Sequence, residues 1–342
     1  MSPISTEEFF EAIRFGTFRE VNMMMMLGAN PNERDKYGST SLIVAVRRNN
    51  EAIMNLLLAQ GVNPNECDSL GRTALIWAVL KKNADILSAL LRAGVDVNAR
   101  TGQHGSTALL WTAERGCTMA AAYLLAHGAK VDQTNATKDT ALMEAARWNQ
   151  IRFVKLLLNH DATIDAQNRN GVTALMWAAS EGHVPIGRVL LEHNATVDLA
   201  DSSGGTALFA AAVWNHESFV RLLLQHGSLV NLVDNKGRTA LMRAAERGAL
   251  KSVRVLLSHG ATFEKEDSAG RTALQSACEH RHDDVLFELL SAHAGYCNHF
   301  VHVALALVGP SRYDKIVAGV LPTQTQTPTA NAEERKRKRD GS

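Results

Sequence analysis

Charge of one sign is missing from this 342-residue chain, in which 36 Lys+Arg stand against 35 Asp+Glu. A globally basic nucleic-acid binder is therefore not expected. Cysteine is scarce as well: Cys67, Cys117, Cys278 and Cys297 are scattered and form no CxxC pair. That argues against a disulfide framework or a zinc cage and predicts four reduced thiols in an intracellular protein. No apolar run reaches the roughly 18 residues that a membrane span needs. The stretch Met1 to Phe10 carries two glutamates and no basic region, unlike a secretory signal. The sequons at Asn135 and Asn194 are then expected to stay unmodified.

What the chain has in abundance is repetition. Thr-Ala-Leu, or a near copy, begins at Thr40, Thr73, Thr107, Thr140, Thr173, Thr206, Thr239 and Thr272, every 33 residues apart from one interval of 34. A Gly usually lies two residues before the Thr, and an Asp or Asn five before it, as at Asp35, Asp68, Asp201, Asp234 and Asp267. This is turn chemistry. After each Thr a short helix of small and apolar residues is predicted, with the hydroxyl capping its first turn. A second helix follows, marked by triplets such as Leu56-Leu57-Leu58 and Leu222-Leu223-Leu224. A Gly such as Gly61, Gly94, Gly128, Gly227 or Gly260 is expected to end it.

The segment Asn168-Arg-Asn-Gly171-Val-Thr173-Ala-Leu175-Met-Trp-Ala178-Ala179-Ser-Glu-Gly182-His183 resembles the ankyrin repeat, and eight copies keep the same phase. The resemblance covers about residues 5 to 294 and implies an all-α solenoid, a curved stack of helix-turn-helix units with β-turn finger loops. Two departures are systematic: Ala replaces the family's Pro after the Thr, and Met, Ile, Leu, Phe or Gln replaces its His. The first removes a pre-set φ and the second a loop-bracing contact, so lower stability than the family consensus is expected. The predicted organisation is a capping repeat at 1–36, eight repeats over 37–294, capping helices at 295–321 and a disordered basic tail at 322–342. Ser5 and Glu8 form a candidate capping box in the first unit, and the run Met23 to Met26 takes its leucine slot.

In such an array the fixed-phase leucines and alanines build the core, and the informative residues are those that vary. Trp77, Trp111 and Trp177 lie four residues after their Thr, whereas Trp148 and Trp214 lie eight after theirs. The resemblance implies that these positions line the concave face, where aromatic rings can anchor a partner; alternatively the rings pack on each other or on the fingers and stiffen the array. Charged neighbours of both signs, among them Glu144, Arg243 and Arg247, favour a protein or peptide partner over a polyanion. His127, His160, His193, His226 and His259 recur once per repeat, a spacing that suits helix C-terminal carbonyls better than a shared metal ion. Cys278 with Glu279, His280 and His282 could be taken for a nucleophile and its base, but Cys278 fills a slot for a small buried residue.

There is no phosphate-cradling GxxxxGK, no GxSxG elbow and no HExxH, so no catalysis, cofactor or metal is expected. The neighbourhood of Asn98, with Leu90 and Asp96-Val97 before it, is similar to sites that asparagine hydroxylases recognise in ankyrin proteins. The alternative is a turn-stabilising Asn. After Leu321 the chain becomes rich in Thr, Gln and Pro, then reaches Arg335, Lys336, Arg337, Lys338 and Arg339, which resembles a nuclear localisation signal for an importin or a solubilising tail. The expected protein is a monomeric, cytoplasmic or nuclear scaffold that holds another protein in the ankyrin groove. Alternatives are a nuclear regulator working through the tail and a microbial effector aimed at host proteins.

Overall fold

The computed structural model describes residues 4–102, 105–293 and 309. Within them the chain folds into eighteen helices, taken two per unit. The first of each pair are α1 (Thr6–Phe15), α3 (Ser41–Arg47), α5 (Ala74–Lys81), α7 (Ala108–Arg115), α9 (Ala141–Arg147), α11 (Ala174–Glu181), α13 (Ala207–Val213), α15 (Ala240–Glu246) and α17 (Ala273–Glu279). The second are α2 (Phe18–Met26), α4 (Glu51–Ala59), α6 (Ala84–Arg92), α8 (Thr118–Ala126), α10 (Ile151–Leu158), α12 (Val184–Glu192), α14 (Glu217–Gln225), α16 (Leu250–Ser258) and α18 (Asp283–His293). First helices stack on first helices and second on second, so each unit touches only its neighbours.

The threonine phase explains where the inner helices start. Thr40, Thr73, Thr107, Thr140, Thr173, Thr239 and Thr272 each accept a backbone N–H three residues on, at 3.2–3.4 Å. Each bond satisfies one of the free donors of a helix start, worth about 1 kcal/mol. Thr206 is the exception and makes no such bond. In the first unit Ser5 and Glu8 form the expected capping box, the Glu8 N–H reaching Ser5 Oγ at 3.2 Å and the Ser5 N–H reaching Glu8 Oε2 at 2.9 Å. The outer helices α2, α4, α6, α8, α14 and α16 run into glycines with φ of +77° to +97°, the left-handed backbone that glycine adopts without strain.

Fingers are built on the Asp or Asn five before the Thr in every repeat but that of Thr107, where Gly102 takes the place. Asp68 Oδ1 accepts the N–H groups of Leu70 and Arg72 at 3.0 and 2.9 Å, an Asx turn closed by an antiparallel bridge between Cys67 and Thr73. From the fifth unit on, successive fingers are joined by backbone bonds, as Arg169 N–H to Thr137 O and Ser202 N–H to Asn170 O at 3.0 and 2.9 Å.

The buried core falls into two clusters that meet at the fourth unit, where Ala108 and Leu124 belong to one and Leu109 and Ala121 to the other. At this boundary α8 carries Ala120, Ala121 and Ala122, where most of the other outer helices carry larger side chains. A concavity of about 710 Å³ lies against the starts of α8 and α10, bordered by Met119 and Tyr123. The capping helices expected at 295–321 and the tail with Arg335 to Arg339 lie outside the described residues, residue 309 apart.

Candidate functional site: the face of the inner helices

The five tryptophans lie on the inner helices or just past their ends, and the structure divides them. Trp77, in the middle of α5, donates its indole N–H to Asp68 Oδ2 at 3.0 Å. Two guanidiniums lie against its ring, Arg47 at 4.9 Å and Arg72 at 4.2 Å from the centroid. Trp177 is half-buried against the core and carries Arg147 at 4.4 Å. Trp111 is half-buried, with its indole nitrogen covered and without a hydrogen-bond partner. These three rings are committed in large part to the array.

Trp148 and Trp214 differ because they are C-cap residues, each standing just past its helix, where the side chain projects beyond the packed layer. They are 48% and 59% exposed. The Trp148 indole donates to Glu144 Oε2 at 3.1 Å, and Arg147 sits 5.5 Å from its ring. Burial pushes the Glu144 carboxyl above the ordinary glutamate value; the Trp148 indole works the other way, and the neighbouring Asp139 carboxylate adds to the rise.

Two concavities open between the fingers and the inner helices. One, of about 730 Å³, lies over α1, α3 and α5 and is bordered by Phe15, Tyr37, Trp77, Arg47, Arg48 and Lys81. Here Arg14 is taken up by Asp35 at 2.7 Å and Arg72 by Asp68 at 3.0 Å. Burial opposes the Asp68 charge, but the Arg72 N–H, the Trp77 indole and the Arg72 guanidinium outweigh it and hold the carboxyl below the usual aspartate value. The second, of about 240 Å³, lies between α11 and α15 beside Trp177 and Trp214. Arg243 borders it and is held by Glu246 at 3.2 Å, whereas Arg247 is exposed at the end of α15.

This architecture is also found in the comparison with known families. A family model described as ankyrin repeats (3 copies) matches residues 9–101, 98–168, 160–234 and 227–299. The chain belongs to the ankyrin repeat family. None of the curated protein sequences matches it. Ankyrin repeats are in general protein–protein interaction modules.

The remaining residues singled out in the sequence have visible positions. Asn98 is a clasp between ankyrin units: its Nδ2 donates to Gly128 O at 3.0 Å and its Oδ1 accepts the Lys130 N–H at 2.8 Å. Asn231 repeats both bonds on Gly260 and Thr262. Four of the five recurrent histidines turn back on their own helices, Nδ1 of His127, His193, His226 and His259 lying 2.8–2.9 Å from the carbonyl four residues back, and His160 departs from the expectation by making no such bond among the described residues. Cys278 is buried in its alanine slot.

Other contributors escaped the sequence reading. His183, His216 and His282 place Nε2 on carbonyls of the preceding unit, Arg147, Ser180 and Glu246, at 2.9–3.2 Å. The periodicity of His at that phase is visible in the sequence, but its direction across the unit boundary is not. Asp201 and Thr206 are marked in the sequence only as turn and cap residues and Phe209 not at all, so their meeting in the smaller cavity was missed, although the absence of an Arg four residues after Asp201 is visible when the units are aligned.

Proposed function

We propose that the protein is a binding module which holds a protein or peptide along the groove between its fingers and inner helices, and has no catalysis of its own. The observation that carries this reading is the pair Trp148 and Trp214, the two largest of the exposed apolar side chains among the described residues, left about half exposed at the ends of two inner helices. Exposed aromatic surface costs free energy unless something covers it, and tryptophan is enriched among the residues that anchor protein interfaces. The two concavities on the same side and the mixed charges around them support the same reading. Rigid presentation is the mechanism. Rings fixed by the stack lose little conformational freedom on binding, so more of their contact energy appears as affinity.

A peptide library selected on the immobilised full chain tests this. The selected peptides are expected to bind a Trp148→Ala, Trp214→Ala double variant at least tenfold more weakly, about 1.4 kcal/mol. A Met119→Ala variant on the other side of the stack is expected to bind them as the parent chain does. Equal affinity for the double variant, with an unchanged thermal melt, would contradict the groove reading.

A further inference from the structure

Five units place an aspartate at the base of the finger, and four of these aspartates hold a guanidinium. Asp68, Asp234 and Asp267 are paired with the arginine four residues later, Arg72, Arg238 and Arg271, at 2.7–3.0 Å. Asp35, followed by Ser39 in that slot, takes Arg14 from the preceding unit at 2.7 Å. Asp201 has Gly205 in the slot and no ion pair among the described residues. Its Oδ1 is used by the finger, accepting the Ser203 and Gly205 N–H groups at 2.8 and 2.9 Å, while Oδ2 accepts nothing.

The same unit breaks the pattern twice more. Thr206 is 4% exposed, and its hydroxyl is the one threonine cap in the series left without a partner. Trp214 is the most exposed tryptophan and carries no cation over its ring among the described residues, whereas Trp77, Trp148 and Trp177 each carry an arginine. Asp201, Thr206 and Trp214 all border the single 240 Å³ cavity, with Phe209 in the wall between. Two cations also border it, and both are spoken for: Arg238 lies on Asp234 and Glu246, and Arg243 on Glu246. Both guanidiniums are thus held by Asp234 and by Glu246 just outside the cavity, and Asp201 is the bordering carboxylate that neither of them pairs with.

We propose that this cavity receives an arginine side chain of the bound partner, its guanidinium on Asp201 Oδ2 and its plane against Trp214. The partner then supplies in trans the group that the other fingers supply from their own chain. A guanidinium suits the place because it pairs with a carboxylate through a planar fork and stacks on an indole with the same plane. The proposal rests on the groove reading above and names the chemistry of the segment that the groove selects.

The test uses the full chain labelled with 5-fluorotryptophan, with the Trp214 resonance assigned by its loss in Trp214→Phe. N-acetyl-arginine methylamide at millimolar concentration is expected to shift that resonance saturably. The neutral isostere N-acetyl-citrulline methylamide and the lysine counterpart are expected to leave it in place. Asp201→Asn removes the response. Gly205 has ordinary backbone φ, so Gly205→Arg fills the slot as in the neighbouring units, displaces the Trp214 resonance without probe and abolishes the response.

An equal response to citrulline or lysine, or a response that survives Asp201→Asn, would overturn the proposal; Asp201→Asn carries the test alone if Gly205→Arg does not fold. Probe binding seen only in a chain ended at residue 321 would mean that the basic tail fills the cavity, which also overturns it. Selected peptides that depend on Trp148 and Trp214 but not on Asp201 would refute the arginine cavity and keep the groove. Dependence on none of the three would refute both.

Discussion

At the scale of single residues, the repeat phase makes some side chains anomalous by comparison with their counterparts. Lys138 stands in the finger slot that glycine holds in the other units, and it adopts φ +64° there. A side chain in that conformation costs roughly 1–2 kcal/mol. Lys138→Gly is therefore expected to stabilise the chain by about 1 kcal/mol, the gain being reduced by the greater freedom of glycine in the unfolded state. A denaturant melt reads this directly, and an unchanged or lower midpoint would contradict it. Glu144 gives a pH dependence. Its carboxyl is raised chiefly by burial, so the native state holds the proton more tightly than the unfolded chain. Stability from this group falls as pH rises from the ordinary glutamate value through the raised one. Glu144→Gln is expected to raise the melting temperature at neutral pH and to have little effect near about pH 4. The finger aspartates have the opposite sign. The stability from the Asp68 and Asp234 pairs is complete above the ordinary aspartate range and lost as pH falls through their lowered values.

At the scale of the element, most of the array is legible in the sequence because one signal marks each unit. A threonine that caps a helix start, a turn residue five before it and a leucine run after it fix the boundaries and the phase of the core. The capping box at Ser5 and Glu8 was readable for the same reason. The division of the tryptophan row was not. Four and eight residues after the Thr lie on one helix face, but these helices are only 7 or 8 residues long where the tryptophans occur. The later position therefore falls past the last turn and projects, while the earlier one is covered by the finger. The division of the core at α8 was also hidden, since three consecutive alanines favour a helix locally and only add little side-chain volume between α6 and α10. Hydrogen exchange is expected to be faster for α8 amides than for those of α6 and α10. Slower exchange there would mean that the two core clusters are mechanically one.

At the scale of the whole molecule, a stack of near-identical units becomes a specific binder only through the positions where the units differ. The differences gather on the finger side of the inner helices: the aromatic pair at Trp148 and Trp214, the aspartate without its arginine, and the cations Arg47, Arg48 and Lys81 over the first three units, which have no salt bridge among the described residues. Stiffness and recognition are divided among chemically similar residues. Trp77→Ala is expected to lower the melting temperature, because its ring ties Asp68, Arg47 and Arg72 together. Trp214→Ala is expected to leave the melt unchanged and to weaken binding. Hydroxyl-radical footprinting of the full chain with and without a selected peptide compares these surfaces most directly, since tryptophan and methionine both report on solvent access. Protection of Trp148 and Trp214, with Met119 on the opposite side as reactive as before, is the result expected. Protection of Met119 and Tyr123 with both tryptophans still reactive would place the partner on the outer helices and contradict the groove.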